Sequence, residues 1–299
     1  MKLLLTGCHG QLGFELQRSL APLAEVVAVG SQDCDLADVA AVRALVAQVN
    51  PQGIINAAAY TAVDKAETDQ QQARKVNTEA PQLLGELARQ RGVWVMHYST
   101  DYVFAGQGND FYRETDDTDP QSVYGLTKRD GECALLAACP QSMVMRTSWV
   151  VGAVGQNFAK TMLRLAQQRP TLSVVADQFG APTSAALLAD VTAHVVRRLQ
   201  QQGADHFPFG IYHVAAGGVT NWHAYAQFVL TQAAQAGLPL QVAAEAVQAI
   251  SSADYPVAAK RPANSRLDTQ KFQSTFQLRL PDWQVGVSQV LAQLLQGGV

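Results

Sequence analysis

Lys2-Leu3-Leu4-Leu5-Thr6-Gly7-Cys8-His9-Gly10-Gln11-Leu12-Gly13 opens the chain, and its reading decides the fold. An apolar run of strand length ends in a glycine-rich turn, after which Leu12, Leu16 and Leu20 recur at helical spacing. The order is strand, tight turn, helix. Glycines there let the backbone bend sharply and let a pyrophosphate reach the amides at the helix N-terminus, where the positive end of the dipole also sits. The spacing G-x-x-G-x-x-G departs from the G-x-G-x-x-G dinucleotide fingerprint, and glycines alone mark ordinary turns more often than cofactor sites. Position carries the reading: the turn follows the first strand and opens the first helix.

Outward from that turn, short apolar runs alternate with helical patterns, the signature of βαβ units and a mainly parallel sheet. Strands are expected over 25–29, 53–56, 94–99, 143–147, 172–175 and 211–214. Helices are expected over 39–49, 73–91, 124–138, 158–168 and 185–201, with amphipathic helices at 221–236 and 283–295. The polar and aromatic stretch from Thr100 to Pro120 is long for a βα connection and reads as a functional loop over the sheet edge. Ser122 is placed to cap the helix that follows.

Composition fits a globular enzyme: 299 residues, 48% hydrophobic and 16% charged. A formal net charge of -3 gives neither a footprint for nucleic acid nor a polybasic membrane patch. Cys8, Cys34, Cys133 and Cys139 lack metal or redox spacing, and no stretch approaches a membrane span. A small-molecule enzyme of the reducing cytoplasm is expected. The six histidines show no i, i+4 pairing for a metal and read as structural or solvated, and Trp94, Trp222 and Trp283 read as core or interface aromatics.

The chemistry lies in Tyr124 and Lys128, one helical turn apart, downstream of Ser99-Thr100-Asp101-Tyr102. A nearby ammonium favours the phenolate and brings a phenol of pKa about 10 toward the working range, so that Tyr124 can exchange a proton with a carbonyl or alcohol. Alone, such a pair is more often a surface contact. The glycine turn and Ser99-Thr100 reverse that weighting.

Gly7-x-x-Gly10-x-x-Gly13, Asn56-Ala57-Ala58-Ala59, Ser99-Thr100-Asp101-Tyr102-Val103-Phe104 and Tyr124-x-x-x-Lys128 resemble the extended short-chain dehydrogenase/reductase family. The blocks around Asp64, Arg146, Asn157, Asp177 and Arg261 are similar to its dTDP-4-dehydrorhamnose reductase branch over nearly the whole chain. The resemblance implies an α/β fold: a Rossmann-like doubly wound parallel sheet with a smaller C-terminal substrate-binding domain. The expected division is 1–148 plus about 183–218 for the cofactor domain, and about 149–182 plus 219–299 for the nucleotide-sugar domain.

The implied activity is reduction of the C4 ketone of dTDP-4-dehydro-L-rhamnose to dTDP-L-rhamnose. Tyr124 would donate the proton, Lys128 would hold the nicotinamide ribose and Thr100 would bond the sugar oxygen. Around the cofactor the resemblance places Gly7, Gly10, Gln11, Leu12, Gly13, Ser31, Asp35, Leu36, Ala57, Ala58 and Thr61. Around the substrate it places Asp101, Trp149, Asn157, Arg261 and Arg266, the arginines as phosphate forks. At the end of the second strand, Val29-Gly30-Ser31 offers neither a carboxylate for a ribose 2′-hydroxyl nor a basic residue for a 2′-phosphate. Use of NADPH, with NADH also accepted, is therefore expected. A family metal position for magnesium in a homodimer matches Glu15, but Ala186 and Gln293 stand where its companion acids are expected.

Two rivals share features with this reading. Nucleotide-sugar 4,6-dehydratases and epimerases share the Tyr/Lys pair, but dehydratases carry Asp-Glu after the threonine, where this chain has Asp101-Tyr102. The regulatory beta subunit of methionine adenosyltransferase resembles such reductases and binds NADP without turnover. Retention of Thr100, Tyr124 and Lys128 favours an enzyme.

Overall fold

In the computed structural model, which describes residues 1–296, six parallel strands form one sheet. They are β1 (Lys2–Thr6), β2 (Glu25–Val29), β3 (Gly53–Asn56), β4 (Trp94–Thr100), β5 (Ser142–Thr147) and β6 (Gly210–His213). Their order is β6-β5-β4-β3-β1-β2. Direction of winding reverses between β1 and β3, the place where an open α/β sheet leaves a crevice beyond its carboxyl ends.

The first strand shows why both faces are covered. Leu3 and Leu5 enter a core with Leu16 and Leu20, while Leu4 enters the opposite core with Val42, Val46, Leu84 and Leu135. Alternation along one strand thus serves two helical layers. Helix α1 (Gln11–Leu20) packs beside a long helix at 185–202 on one face. Helices α2 (Val39–Val49), α3 (Ala80–Arg91) and α4 (Val123–Ala138) cover the other.

A third apolar core lies apart from these two. It gathers Leu163, Tyr225, Val229, Trp283 and Val287 from α5 (Phe158–Gln168), α7 (Trp222–Gln235) and α8 (Trp283–Gln296), together with Leu172 from the segment after α5; the 185–202 helix is α6. The strand expected at 172–175 is Ser173–Val175, and it pairs in parallel with Gln248–Ile250 outside the main sheet. Periodicity reports a strand and not its partner.

The helix expected over 73–91 is interrupted. Gln70–Arg74 passes through a π-helical turn, Lys75–Glu79, before α3 begins. Asn77 is the cause: its buried side chain accepts from the Tyr60 amide at 2.8 Å and donates to the Tyr60 carbonyl at 3.1 Å and to Thr127 Oγ1 at 3.2 Å. The widened turn also brings the Asn77 carbonyl against Gly131 of α4, where a Cβ would lie 2.0 Å from the oxygen.

Candidate active site

One cavity of about 2200 Å³ runs along the carboxyl ends of β1, β2, β3 and β4 and on toward the third core. A site for one drug-sized ligand is about 300–1000 Å³, so this cavity has room for two. At its floor is the glycine turn. Gly7 has φ +77° and a Cβ there would lie 2.7 Å from the Ala58 amide nitrogen; a Cβ on Gly13 would lie 2.0 Å from the Gly7 carbonyl oxygen. Both positions require glycine. Gly10 caps α1 with no side-chain hydrogen bond, leaving first-turn amides facing the cavity as a cradle for a pyrophosphate. The donor set and the space fit a dinucleotide.

Of the residues expected at the cofactor, Gly7, Gly10, Gln11, Leu12, Ser31, Asp35, Leu36, Ala57, Ala58, Thr61, Tyr124 and Lys128 all line the cavity, and Gly13 packs beneath it. Gln11 does more than line it. Its Oε1 accepts from the Gly152 amide at 2.8 Å and from Asn157 Nδ2 at 2.9 Å, tying the glycine turn to the segment that leads into the third core.

His9 was assigned no role in the sequence, yet it lines the cavity at the end of β2. A Cβ on Gly30 would lie 2.3 Å from its Cδ2, so the imidazole fills the space that an acidic side chain at position 30 would take. Behind it Asp33 accepts from the Gly30 amide at 2.8 Å. Neither the glycine at 30 nor the spacing of His9 signals this contact without the fold.

Tyr124, Lys128 and Thr100 converge on the same cavity. Ser122 caps α4 by accepting from the Gly125 amide at 3.2 Å, and Glu67 accepts from the Val123 amide at 2.9 Å, so the helix start is fixed from two sides. Gly125 allows the helix to lie against the Tyr102 carbonyl, 2.2 Å from where a Cβ would be. The Tyr102 and Tyr124 rings meet edge to face at 5.4 Å. Thr100 Oγ1 donates to Asp101 Oδ1 at 3.1 Å and accepts from the Tyr102 amide at 3.2 Å. Burial holds the Asp101 carboxyl up at about 6, and among the described residues its Oδ2 has no hydrogen-bond partner.

The electrostatics correct one expectation. Burial pushes the Tyr124 phenol up, opposed by the Thr100 side chain beside it, and Lys128 does not offset that rise in this geometry. The reason is direction: Lys128 Nζ turns inward to donate to the Tyr98 carbonyl at 2.6 Å and lies 3.1 Å from His97 Nε2. Burial brings Lys128 down to about 8, against a smaller opposing pull from Glu132. Glu132 is itself held by Arg146, with Nε at 3.0 Å and Nη2 at 2.7 Å from its oxygens.

The expected substrate residues divide. Asp101, Trp149 and Arg261 line the cavity; Asn157 and Arg266 do not. Trp149, at φ +49°, stacks on Trp222 with ring centroids 3.7 Å apart, and Phe158 tilts against Trp222. Arg261 is paired to Asp64 and donates to the Tyr102 hydroxyl at 3.3 Å. Arg266 instead lies over the Phe179 ring, 4.8 Å from its centroid, and donates to the Asn109 carbonyl at 3.0 Å. The same nitrogen, Nη1, also donates to Asn264 Oδ1 at 3.2 Å. Glu15 pairs with Arg18, which also reaches Asp190 at 3.1 Å. Among the described residues no helix is long and apolar enough to cross a membrane.

A doubly wound parallel sheet, a glycine turn at its switch point and a Tyr/Lys helix facing that turn define an extended short-chain dehydrogenase/reductase. A family model described as RmlD substrate binding domain matches residues 1–296. The dTDP-4-dehydrorhamnose reductase of Escherichia coli (strain K12) is 48% identical over 299 residues, covering 98% of each chain. That of Salmonella typhimurium is 47% identical over 298 residues, again covering 98% of each. The chain belongs to this family of dTDP-4-dehydrorhamnose reductases. Among solved structures, a reductase of that name from Clostridium acetobutylicum has a TM-score of 0.89 and 34% identity, over 98% of this chain and 100% of that one. One from Bacillus anthracis, in complex with NADP, has a TM-score of 0.87 and 29% identity, over 98% and 99%.

Proposed function

We propose that this chain reduces the C4 ketone of dTDP-4-dehydro-L-rhamnose to the alcohol of dTDP-L-rhamnose, using NADPH and accepting NADH. The observation that carries the reading is the convergence of Thr100, Tyr124 and Lys128 on the cavity that begins at the glycine turn. When bound there, the reduced nicotinamide supplies the hydride. First-turn amides of α1 hold its pyrophosphate, and the residues from Ser31 to Leu36 receive the adenosine end.

Tyr124 donates its phenolic proton to the oxygen of the ketone as that oxygen gains charge, so the sugar leaves as a neutral alcohol. Its raised pKa suits a group that must arrive protonated. Thr100 holds the same oxygen, and Lys128 in its ammonium form stabilises the phenolate left behind. Asp101, Trp149 and Arg261 receive the nucleotide sugar, Arg261 through its phosphates. In this reading the segments 1–148 and about 183–218 carry the cofactor, about 149–182 and 219–299 carry the substrate, and the protein works in the cytoplasm.

The test is loss of NADPH absorbance, and then of NADH absorbance, on adding dTDP-4-dehydro-L-rhamnose to the purified chain. Oxidation with formation of dTDP-L-rhamnose is expected. Cofactor binding without oxidation would sink the proposal and favour a non-catalytic NADP-binding subunit.

A further inference from the structure

Behind the catalytic lysine lies a run of buried polar groups that no step above uses. Lys128, His97, Asn56 and Thr6 are all shielded from solvent and follow one another across α4, β4, β3 and β1. Lys128 Nζ is 3.1 Å from His97 Nε2; His97 Nδ1 is 3.1 Å from Asn56 Nδ2; Thr6 Oγ1 is 2.6 Å from Asn56 Oδ1.

Donors and acceptors along this run can be counted from one end. The Ala58 backbone N–H, which can only donate, lies 3.2 Å from Asn56 Oδ1 and so fixes that atom as the amide oxygen. Asn56 Nδ2 therefore faces His97, and an amide NH2 can only donate. His97 Nδ1 must accept. In a neutral imidazole the hydrogen then sits on Nε2, which points at Lys128 Nζ. An ammonium has three donors and no acceptor, so an N–H directed at it leaves two donors facing each other between buried side chains. An uncharged amine resolves the count: it donates to the Tyr98 carbonyl at 2.6 Å and offers its lone pair to His97.

We propose that His97 is a positioning residue for Lys128, locked by Asn56 in the Nε2–H tautomer so that it donates to the lysine as a neutral amine and opposes its charged form. His97 thereby sets the fraction of Lys128 able to support Tyr124. The other charged or titratable groups near Lys128 are few. Tyr124 and Glu132 stand one turn to either side on α4, and Arg146 of β5 is paired to Glu132. Burial and the neighbouring lysine keep the imidazole itself neutral, and burial lowers the lysine, both in keeping with this arrangement.

Two measurements test it, the second resting on the proposed reductase reading and the first independent of it. In the full chain labelled with 15N-histidine, two-bond proton–nitrogen correlations read the tautomer directly. At pH values above the lysine titration His97 is expected to carry its hydrogen on Nε2; an Nδ1–H form there overturns the proposal.

The kinetic test compares pH profiles of kcat/KM for the parent, His97→Leu and Asn56→Asp. Leucine removes the donor to the amine, and a carboxylate at 56 makes His97 Nδ1 the donor and turns Nε2 into an acceptor for the ammonium. Each change is expected to move the alkaline limb up by about 0.5–1 pH unit, the size of one net hydrogen bond. A limb that stays in place in folded variants overturns the proposal, because a purely structural role for His97 would lower the rate without moving the limb. Should the variants fail to fold, the tautomer in the parent decides alone. The expected tautomer in a chain that does not turn over the sugar would refute the reductase reading and leave His97 as assigned.

Discussion

Gly131 lies three residues beyond Lys128 on α4, and replacing it with alanine tests whether that helix sets the catalytic geometry. The new Cβ would sit 2.0 Å from the Asn77 carbonyl oxygen, and Cβ contacts under 3.0 Å are essentially never seen. The difference, 3.0 minus 2.0, requires α4 and the π turn to part by at least 1.0 Å. Asn77 is held by Tyr60 and Thr127, and Thr78 Oγ1 donates to the Thr127 carbonyl at 2.7 Å, so the strain reaches α4 itself. Tyr124 and Lys128 ride on that helix. A misplacement of about 1 Å costs on the order of 100-fold in rate, while overpacking costs about 1–3 kcal/mol of stability. Gly131→Ala is therefore expected to fold, to show a lowered urea midpoint, and to lose about two orders of magnitude in kcat for NADPH oxidation. A folded variant within about twofold of the parent kcat would refute the claim that α4 packing sets the geometry.

Other variants separate the remaining roles. Tyr124→Phe is expected to lose about 10²–10⁴ in kcat while its NADPH affinity, read by fluorescence titration, stays near the parent value; parent-rate turnover would remove Tyr124 as proton donor. Glu132→Gln leaves Arg146 buried without its counter-charge and is expected to cost about 3–5 kcal/mol in urea unfolding. Because Glu132 raises Lys128, the same change lowers the lysine from about 8. Rate that depends on the ammonium is present below that pKa and lost above it, so the alkaline limb moves to lower pH, opposite to the His97 variants. At the end of β2, Gly30→Asp alone collides with His9 and is expected to weaken both cofactors. Paired with His9→Thr, it should shift the kcat/KM ratio toward NADH by about tenfold or more, since a carboxylate there repels a 2′-phosphate; an unchanged ratio would dissociate position 30 from cofactor choice.

Period and turn chemistry are local, and the elements they govern were legible in the sequence. Val39–Val49 and Phe158–Gln168 fall where helical spacing put them, and Glu25–Val29 and Gly53–Asn56 are strands over the expected residues. The π turn at Lys75–Glu79 was not legible, because its cause is a buried contact between Asn77 and residues 17 and 50 positions away. His9 and His97 were passed over for a similar reason. Each is a lone histidine in the sequence and acquires a role only from a partner distant along the chain: Gly30 for the first, Asn56 and Lys128 for the second. Lys128 itself was found by its spacing, but spacing places it near Tyr124 and cannot say which way the amine points. The Tyr98 carbonyl turns it inward.

Asn157 shows how a motif and a site can differ. In sequence it heads a block similar to the family pattern, which implies a sugar ligand, while its place before a helix also suits a cap. In the fold its Oδ1 accepts from the Lys160 amide at 3.1 Å, capping α5, and its Nδ2 donates to Gln11 Oε1 at 2.9 Å and to the Gly152 carbonyl at 2.7 Å. An amide nitrogen has two hydrogens, and both are used. A sugar hydroxyl could take one only by breaking the link to Gln11 or to Gly152. Those links join the glycine turn to the segment between Trp149 and α5, so the geometry assigns Asn157 to holding the two sides of the cavity at a fixed spacing. A block of sequence can therefore mark the active site by framing it, with both amide hydrogens of Asn157 committed to that frame.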